Sequence, residues 1–359
     1  TPVNSFRLIF DSFFQTKFGM LKDKSYFITN FTSVRKLIPV PSEDSFNKSG
    51  LGAWVDTLEE TILNRPDFER AHTMLGIYYK ELKLFPEAKV ALKKATHLNP
   101  NLAWPYIVLA EVYFDEGKYT RALQEIKHAI NIDEQMPAAL ALRGKIEMFT
   151  GKYHEAIASF EQAIQVDPIK LDSYMSLLSK TYAFLKNKEK TILYAKKAIK
   201  ISPTFANYNN LGTAYALFGL NKEAKLNWKK SLKISPSNPV AYHNLGNIFS
   251  RTKDYKEAIK FYQKAIEQKP DYSQAFFSLG TIYATLNKNI QAVEYYKKTL
   301  ALNPNHMLAR FQLGNALLMS NKSESALLEY KKAIKLNPDH TPSFINIGHT
   351  LMKLGRLDK

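Results

Sequence analysis

Proline recurs in this 359-residue chain at a spacing that leaves little freedom of fold. It stands at Pro66, Pro100, Pro168, Pro203, Pro236, Pro270, Pro304 and Pro338, with Glu134 where one more is expected, so Pro66 to Pro338 spans eight steps of 34 residues. One extra residue before Pro203 is cancelled by one fewer after it. A fixed period of this length marks a stacked-repeat architecture, in which each unit contacts only its neighbours. Such an array escapes the limit that splits chains beyond about 250–300 residues into separate cores.

Between the prolines one pattern returns, as in "NPVAYHNLGNIFSRTKDYKEAIKFYQKAIEQKP". Each unit has two apolar runs at helical spacing, which predicts a helix hairpin. Gly76, Gly144, Gly212, Gly246, Gly280, Gly314 and Gly348 fall midway in the first helix, where a larger residue is expected to overpack by about 1–3 kcal/mol. Ala88, Ala122, Ala156, Ala224, Ala258, Ala292 and Ala326 supply a small facing surface, and Tyr79, Tyr113, Tyr215, Phe249 and Tyr283 fill the space beside it. Proline ends the second helix, because it lacks an N–H and restricts the residue before it. The unit near Leu171 departs, with Leu178 at the glycine position and Thr191 at the alanine position, and looser packing is expected there.

This period, with the signature L-G-x-x-Y…A-x-x-x-F…A…P, resembles the tetratricopeptide repeat family over residues 66–359. The resemblance implies an all-α fold, a right-handed superhelical solenoid whose first helices line a concave groove and whose second helices form the convex face. Residues 51–359 are then the repeat array, about eight full repeats with partial ones at both ends, and "GAWVDTLEETILNR" (52–65) reads as the second helix of a preceding unit. The start without methionine and the stop at "LMKLGRLDK" suggest a piece of a longer protein.

Residues 1–50 lack the repeat. Phe6, Ile9, Phe10, Phe13 and Phe14 share a helical face, and "SYFITNFTSVRKLIPVP" is more strand-like or irregular. Three readings compete: a cap over the end of the solenoid, a membrane-surface helix favoured by phenylalanines beside Arg7 and Lys17, and the remnant of an upstream domain.

The chain has no cysteine, which excludes disulfides, thiolate metal sites and a cysteine nucleophile. No run of about 18 apolar residues spans a bilayer, and no secretory leader is evident, so a cytoplasmic location is expected, with the periplasm or a membrane tether as alternatives. The eight histidines form no H-E-x-x-H pair, and the phosphate-binding and nucleophile-elbow glycine motifs are missing. The chain reads as no enzyme, needing neither metal nor cofactor, and as a binder of another polypeptide. The rival class is the substrate-recruiting region of a larger glycosyltransferase or sulfotransferase.

The groove expected from the resemblance changes character along its length. Early units offer a largely apolar wall: Trp104, Ile107, Val108, Phe114, Ala138, Ala141, Leu142, Met148, Phe149 and Met175, with Trp104, Phe114 and Phe149 as anchors. Later units offer His243, Asn244, Asn247, Arg251, Gln274, Ser278, Thr281, Gln312, Asn315, Asn346 and His349. One register reads Asn210, Asn244, Ser278, Gln312 and Asn346. Amides both donate and accept, so such a ladder can hold an extended backbone of any sequence. It is similar to the asparagine ladder of the tetratricopeptide region of O-linked N-acetylglucosamine transferase at Asn210, Asn244 and Asn346, with Ser278 and Gln312 as departures. The family's cationic clamp for a C-terminal carboxylate is unmatched, since the units after His243 and Asn247 offer Ser278, Leu308 and Gln312.

The net charge of +17 invites acidic partners. Its lysines cluster in pairs on second helices, Lys93–Lys94, Lys196–Lys197, Lys229–Lys230, Lys297–Lys298 and Lys331–Lys332, which face solvent. A solvated face and contact with an acidic protein, membrane or nucleic acid both fit this comb. The groove lacks basic residues interleaved with aromatics, so specific nucleic-acid binding is not expected there.

Overall fold

Every repeat carries two amphipathic runs joined by a short polar turn, and neither run can bury its apolar stripe alone. The computed structural model describes residues 26–28, 37–39 and 48–356. Strands β1 (Tyr26–Ile28) and β2 (Leu37–Pro39) pair antiparallel with Phe27 opposite Ile38, where strand-like character was expected. The helix expected through Phe6 to Phe14 lies outside the described residues.

Eighteen helices follow among the described residues, alternating second (B) and first (A) members of the hairpins. They are α1 (Lys48–Asn64), α2 (Glu69–Glu81), α3 (Phe85–Leu98), α4 (Ala103–Asp115), α5 (Tyr119–Ile132), α6 (Pro137–Phe149) and α7 (Tyr153–Val166), then α8 (Leu171–Phe184), α9 (Lys188–Ile201) and α10 (Phe205–Leu217). The remainder are α11 (Asn221–Ile234), α12 (Pro239–Arg251), α13 (Tyr255–Gln268), α14 (Ser273–Thr285), α15 (Asn289–Leu302), α16 (Met307–Met319), α17 (Ser323–Leu336) and α18 (Thr341–Lys353). Even-numbered helices are A and odd-numbered ones B. No described helix is long and apolar enough to cross a membrane.

The chain divides into two compact units, Thr1–Pro168 and Ile169–Lys359. Within each, an A helix packs along its own B helix, and that B helix against the next A helix, giving the all-α solenoid of hairpins that the period predicts. The departure near Leu171 coincides with the change of unit, at a 3₁₀ turn over Pro168–Lys170.

Each hairpin turn uses one residue in the left-handed region, at Lys83, Gly117, Gly151, Lys186, Gly219, Lys253, Asn287, Asn321 and Gly355. Its follower closes the turn with a bond back into the A helix, as in Lys118 N–H to the Tyr113 carbonyl at 2.8 Å. These marks fix the register of the irregular repeat. Gly151 to Lys186 is one residue long, and Lys186 to Gly219 one short, so Leu178 takes the leucine register and Ser179 the glycine register. The expectation for Leu178 is corrected: it is a buried core leucine, and the added residue lengthens α8 to 14 residues where the other A helices have 13.

The glycine register has a physical cause different from close helix approach. A Cβ on Gly246 would lie 2.6 Å from the Tyr262 ring, and one on Gly280 2.7 Å from Tyr296, so the missing side chain leaves room for a B-helix ring. Gly144 faces Phe160, Gly212 faces Trp228 and Gly314 faces Tyr330 in the same way. Gly76 faces Leu92 in the same way, and where the A helix carries a side chain the B helix carries no ring: Ala110 is paired in register with Ile126, and Ser179 with Ala195. Ser179 also donates from its hydroxyl to the Thr191 carbonyl at 2.8 Å, which ties α8 to α9 within this hairpin. Gly348 in α18 has no atom this close, because no B helix lies against it among the described residues.

Candidate functional site: the wall of A helices

The side chains of an A helix that turn away from its B helix lie at the seam with the next A helix or on the open face. Apolar residues at the seam sink. Ile107, Val108 and Leu142 are buried in the core of the first unit, and Met148 is buried too, so they are not available on the wall as expected. Trp104 and Phe114 are half-buried against that core. Phe149 is 59% exposed and meets Phe114 edge to face at 5.2 Å, with Tyr119 beside both. Trp104 stands ten residues before Phe114 on α4, about 15 Å along the axis, so the expected cluster of three is a Phe114–Phe149 pair with Trp104 apart.

The same face of the first unit carries charges that the sequence reading passed over. Lys80 on α2 bonds Glu111 on α4, with Asp115 and Lys145 nearby. Burial pulls the Lys80 ammonium down, but Glu111 overcomes this and its pKa is raised. Burial raises the Asp115 carboxyl, opposed by Lys80.

In the second unit the wall is polar and nearly free of carboxylates. From Ser173 to Lys353 no A helix contains Asp or Glu. Asn210, Asn244, Ser278, Gln312 and Asn346 lie half-buried on α10, α12, α14, α16 and α18. The repeat brings them into one register, but several are tied to neighbouring repeats. Asn346 donates to Asn315 Oδ1 at 2.7 Å, and Asn315 donates to Gln312 Oε1 at 3.1 Å. Asn244 donates to Asn209 Oδ1 at 3.4 Å.

Two B-helix tyrosines anchor this lattice. Tyr262 donates to Asn247 Oδ1 and Tyr330 to Asn315 Oδ1, both at 2.7 Å. His243 Nε2 lies 3.1 Å from Ser278 Oγ, while Asn247 Nδ2 reaches its other nitrogen at 3.5 Å. Burial holds the His243 imidazole down to about 4, so at neutral pH it is uncharged, with Nε2–H donating to Ser278. His243 also sits 5.4 Å from the rings of Tyr262 and Tyr272. The motif repeats with phenylalanine in the His243 register and histidine in the Tyr272 register: Phe277 meets Tyr296 and His306, and Phe311 meets Tyr330 and His340. Burial pushes the Tyr330 hydroxyl up to about 12.

An amide tied by one N–H keeps a second N–H and spare carbonyl capacity. Asn210 makes no side-chain hydrogen bond among the described residues. The exposed Arg251, Gln274, Thr281 and His349 share this face. Phe184 and Leu217, each 57% exposed at the ends of α8 and α10, occupy the register of Phe149 and Arg251. Phe184 was missed because the residue added in α8 shifts the count, whereas Leu217 keeps its spacing from Gly212 and was legible; the left-handed turns at Gly151, Lys186, Gly219 and Lys253 give the register.

Comparison with known proteins agrees with this geometry. Tetratricopeptide repeat models match residues 172–205, 239–272 and 277–341, and the model of anaphase-promoting complex, cyclosome, subunit 3 matches 77–163. The chain is 36% identical to heat shock protein STI1 of Saccharomyces cerevisiae over 95 residues, 26% of this chain and 16% of that one. It is 27% identical to the DnaJ homolog subfamily C member 7 homolog of Schizosaccharomyces pombe over 122 residues, 29% and 25% of the two. Mouse tetratricopeptide repeat protein 14 is 25% identical over 170 residues, 46% of this chain and 22% of that one. The chain thus spans a quarter or less of these relatives. Among solved structures, the Cut9–Hcn1 hetero-tetramer of the APC/C aligns with a TM-score of 0.53 at 15% identity, covering 85% of this chain and 60% of that one. Period, hairpin geometry and repeat models agree: the chain belongs to the tetratricopeptide repeat family.

Proposed function

We propose that the chain is a protein-interaction scaffold whose second unit holds an extended peptide along its wall of A helices. A scaffold for other proteins is what the repeat family and relatives such as heat shock protein STI1 support. The finer reading is carried by one observation: half-buried amides and hydroxyls recur on successive A helices of a wall that lacks carboxylates. Such side chains bind backbone N–H and C=O groups whatever the guest's sequence, and without a carboxylate nothing there repels a peptide carbonyl or an acidic residue. Phe184 and Leu217, exposed at the ends of α8 and α10, supply apolar purchase, and Arg251 supplies a cation.

The test is binding to a library of short extended peptides. Asn210→Ala with Asn244→Ala is expected to weaken capture about tenfold across many sequences, the loss of one to two hydrogen bonds. Helix content should hold, because Asn210 is uncommitted and the Asn244 bond is long. Peptide affinities that ignore the double substitution would remove the ladder from the account.

A further inference from the structure

The positive charge is not spread evenly over the B helices. α9 reads KEKTILYAKKAIKI and α11 reads NKEAKLNWKKSLKI, five lysines against one glutamate in each. The following B helices α13, α15 and α17 carry two or three lysines against one or two glutamates. Each of these closes an ion pair within the helix: Lys260–Glu257, Lys298–Glu294 and Lys332–Glu329. Among the described residues, none of the ten lysines of α9 and α11 has a carboxylate within ion-pairing range. Four of them lie over rings instead, Lys190 on Tyr182, Lys197 on Tyr194, Lys225 on Phe249 and Lys230 on Tyr208, at 4.2–5.7 Å. A ring positions an ammonium and leaves its charge intact.

A second feature sits inside this charge. Leu193 and Leu226, 48% and 55% exposed, stand one turn before the pairs Lys196–Lys197 and Lys229–Lys230. A face serving only solubility has no use for a leucine at its centre, and the same register holds Lys260 in α13 and Glu294 in α15. In α17 the register holds Leu328, but Lys332, one of the two lysines a turn on, is already paired with Glu329.

We propose that the solvent faces of α9 and α11 form a docking surface for an acidic amphipathic protein segment. Its carboxylates meet the unpaired lysines, and its apolar side chains cover Leu193 and Leu226. Unpaired cations attract such a segment from a distance, and the leucines select for it at contact. A nucleic acid would use the charge and set its phosphates against two leucines, on helices that offer no arginine fork. An anionic bilayer would find too little apolar area in two leucines to hold the surface down. The proposal goes beyond peptide binding on the A-helix wall and does not depend on it.

The test is fluorescence anisotropy of the full chain with a labelled synthetic helix bearing glutamates around a leucine stripe. Its scrambled isomer, polyglutamate, single-stranded DNA and phosphatidylserine vesicles are run beside it. The amphipathic helix is expected to bind best. The quadruple change Lys196→Glu, Lys197→Glu, Lys229→Glu and Lys230→Glu should weaken it by about tenfold or more, as removal of matched charge does. Leu193→Ala with Leu226→Ala should weaken it several-fold, while Lys297→Glu, Lys298→Glu, Lys331→Glu and Lys332→Glu together leave it unchanged. Equal binding of polyglutamate with no effect of the leucines, preference for DNA or vesicles, or an equal loss from the second quadruple change would each overturn the proposal. Asn210→Ala with Asn244→Ala leaves this binding intact, so its outcome is separate from that of the peptide wall.

Discussion

His243 shows how one residue of the repeat is set by its neighbours. In the two following repeats its register holds Phe277 and Phe311, each packed between a B-helix tyrosine and the histidine that opens the next A helix. Burial in that slot disfavours the charged imidazole and holds it down to about 4. The folded state then binds one proton fewer than the unfolded chain between about pH 4 and 6.5, so this group's contribution to stability is full above about 6.5 and declines as pH falls to about 4. Its ceiling is about 3 kcal/mol, from roughly two and a half pKa steps. His243→Phe, measured by urea unfolding from neutral to mildly acidic pH, should flatten that decline relative to wild type. Parallel curves for the two proteins would show that His243 titrates as a solvent-exposed group does.

At the scale of the element, the A and B helices of a hairpin share a fixed volume at one crossing. Glycine faces Leu92, Phe160, Trp228, Tyr262, Tyr296 or Tyr330, and in register alanine stands opposite Ile126 and serine opposite Ala195. Enlarging one partner without reducing the other overfills the crossing by about 1–3 kcal/mol. Ala195→Tyr alone should therefore destabilise the second unit, and Ser179→Gly added to it should recover much of the loss, a coupling of about 1–3 kcal/mol in a double-mutant cycle. Additive effects would contradict the pairing.

The hairpins and their period were legible in the sequence because glycine, alanine and proline recur for reasons that act within one unit. The register of the irregular repeat was not, since the length of α8 and the left-handed turn at Lys186 are needed to show where the added residue lies. The early wall was misjudged for a related reason. Periodicity gives the angle of a side chain about its helix, but whether Ile107, Val108 and Leu142 face solvent depends on how closely the next A helix lies. The amide ladder was legible as a row of residue types, whereas its bonds to Asn209 and Asn315 depend on neighbours one repeat away.

Over the whole molecule, each unit is held by nearest-neighbour interfaces between hairpins, so its surfaces are freed from the work of closing a single core. In the second unit the two kinds of surface diverge. The A helices carry amides, hydroxyls and rings with almost no carboxylate, while the B helices carry most of the lysines. The central claim is that the A face holds a guest backbone. Photo-crosslinking tests it most directly, with a benzophenone amino acid placed at Ser278 on the A face or at Lys297 on the B face, and an extended peptide of mixed, uncharged sequence as guest. The account predicts a crosslink from Ser278, abolished by excess unlabelled peptide, and none from Lys297. Crosslinking from Lys297 with silence at Ser278 would contradict it.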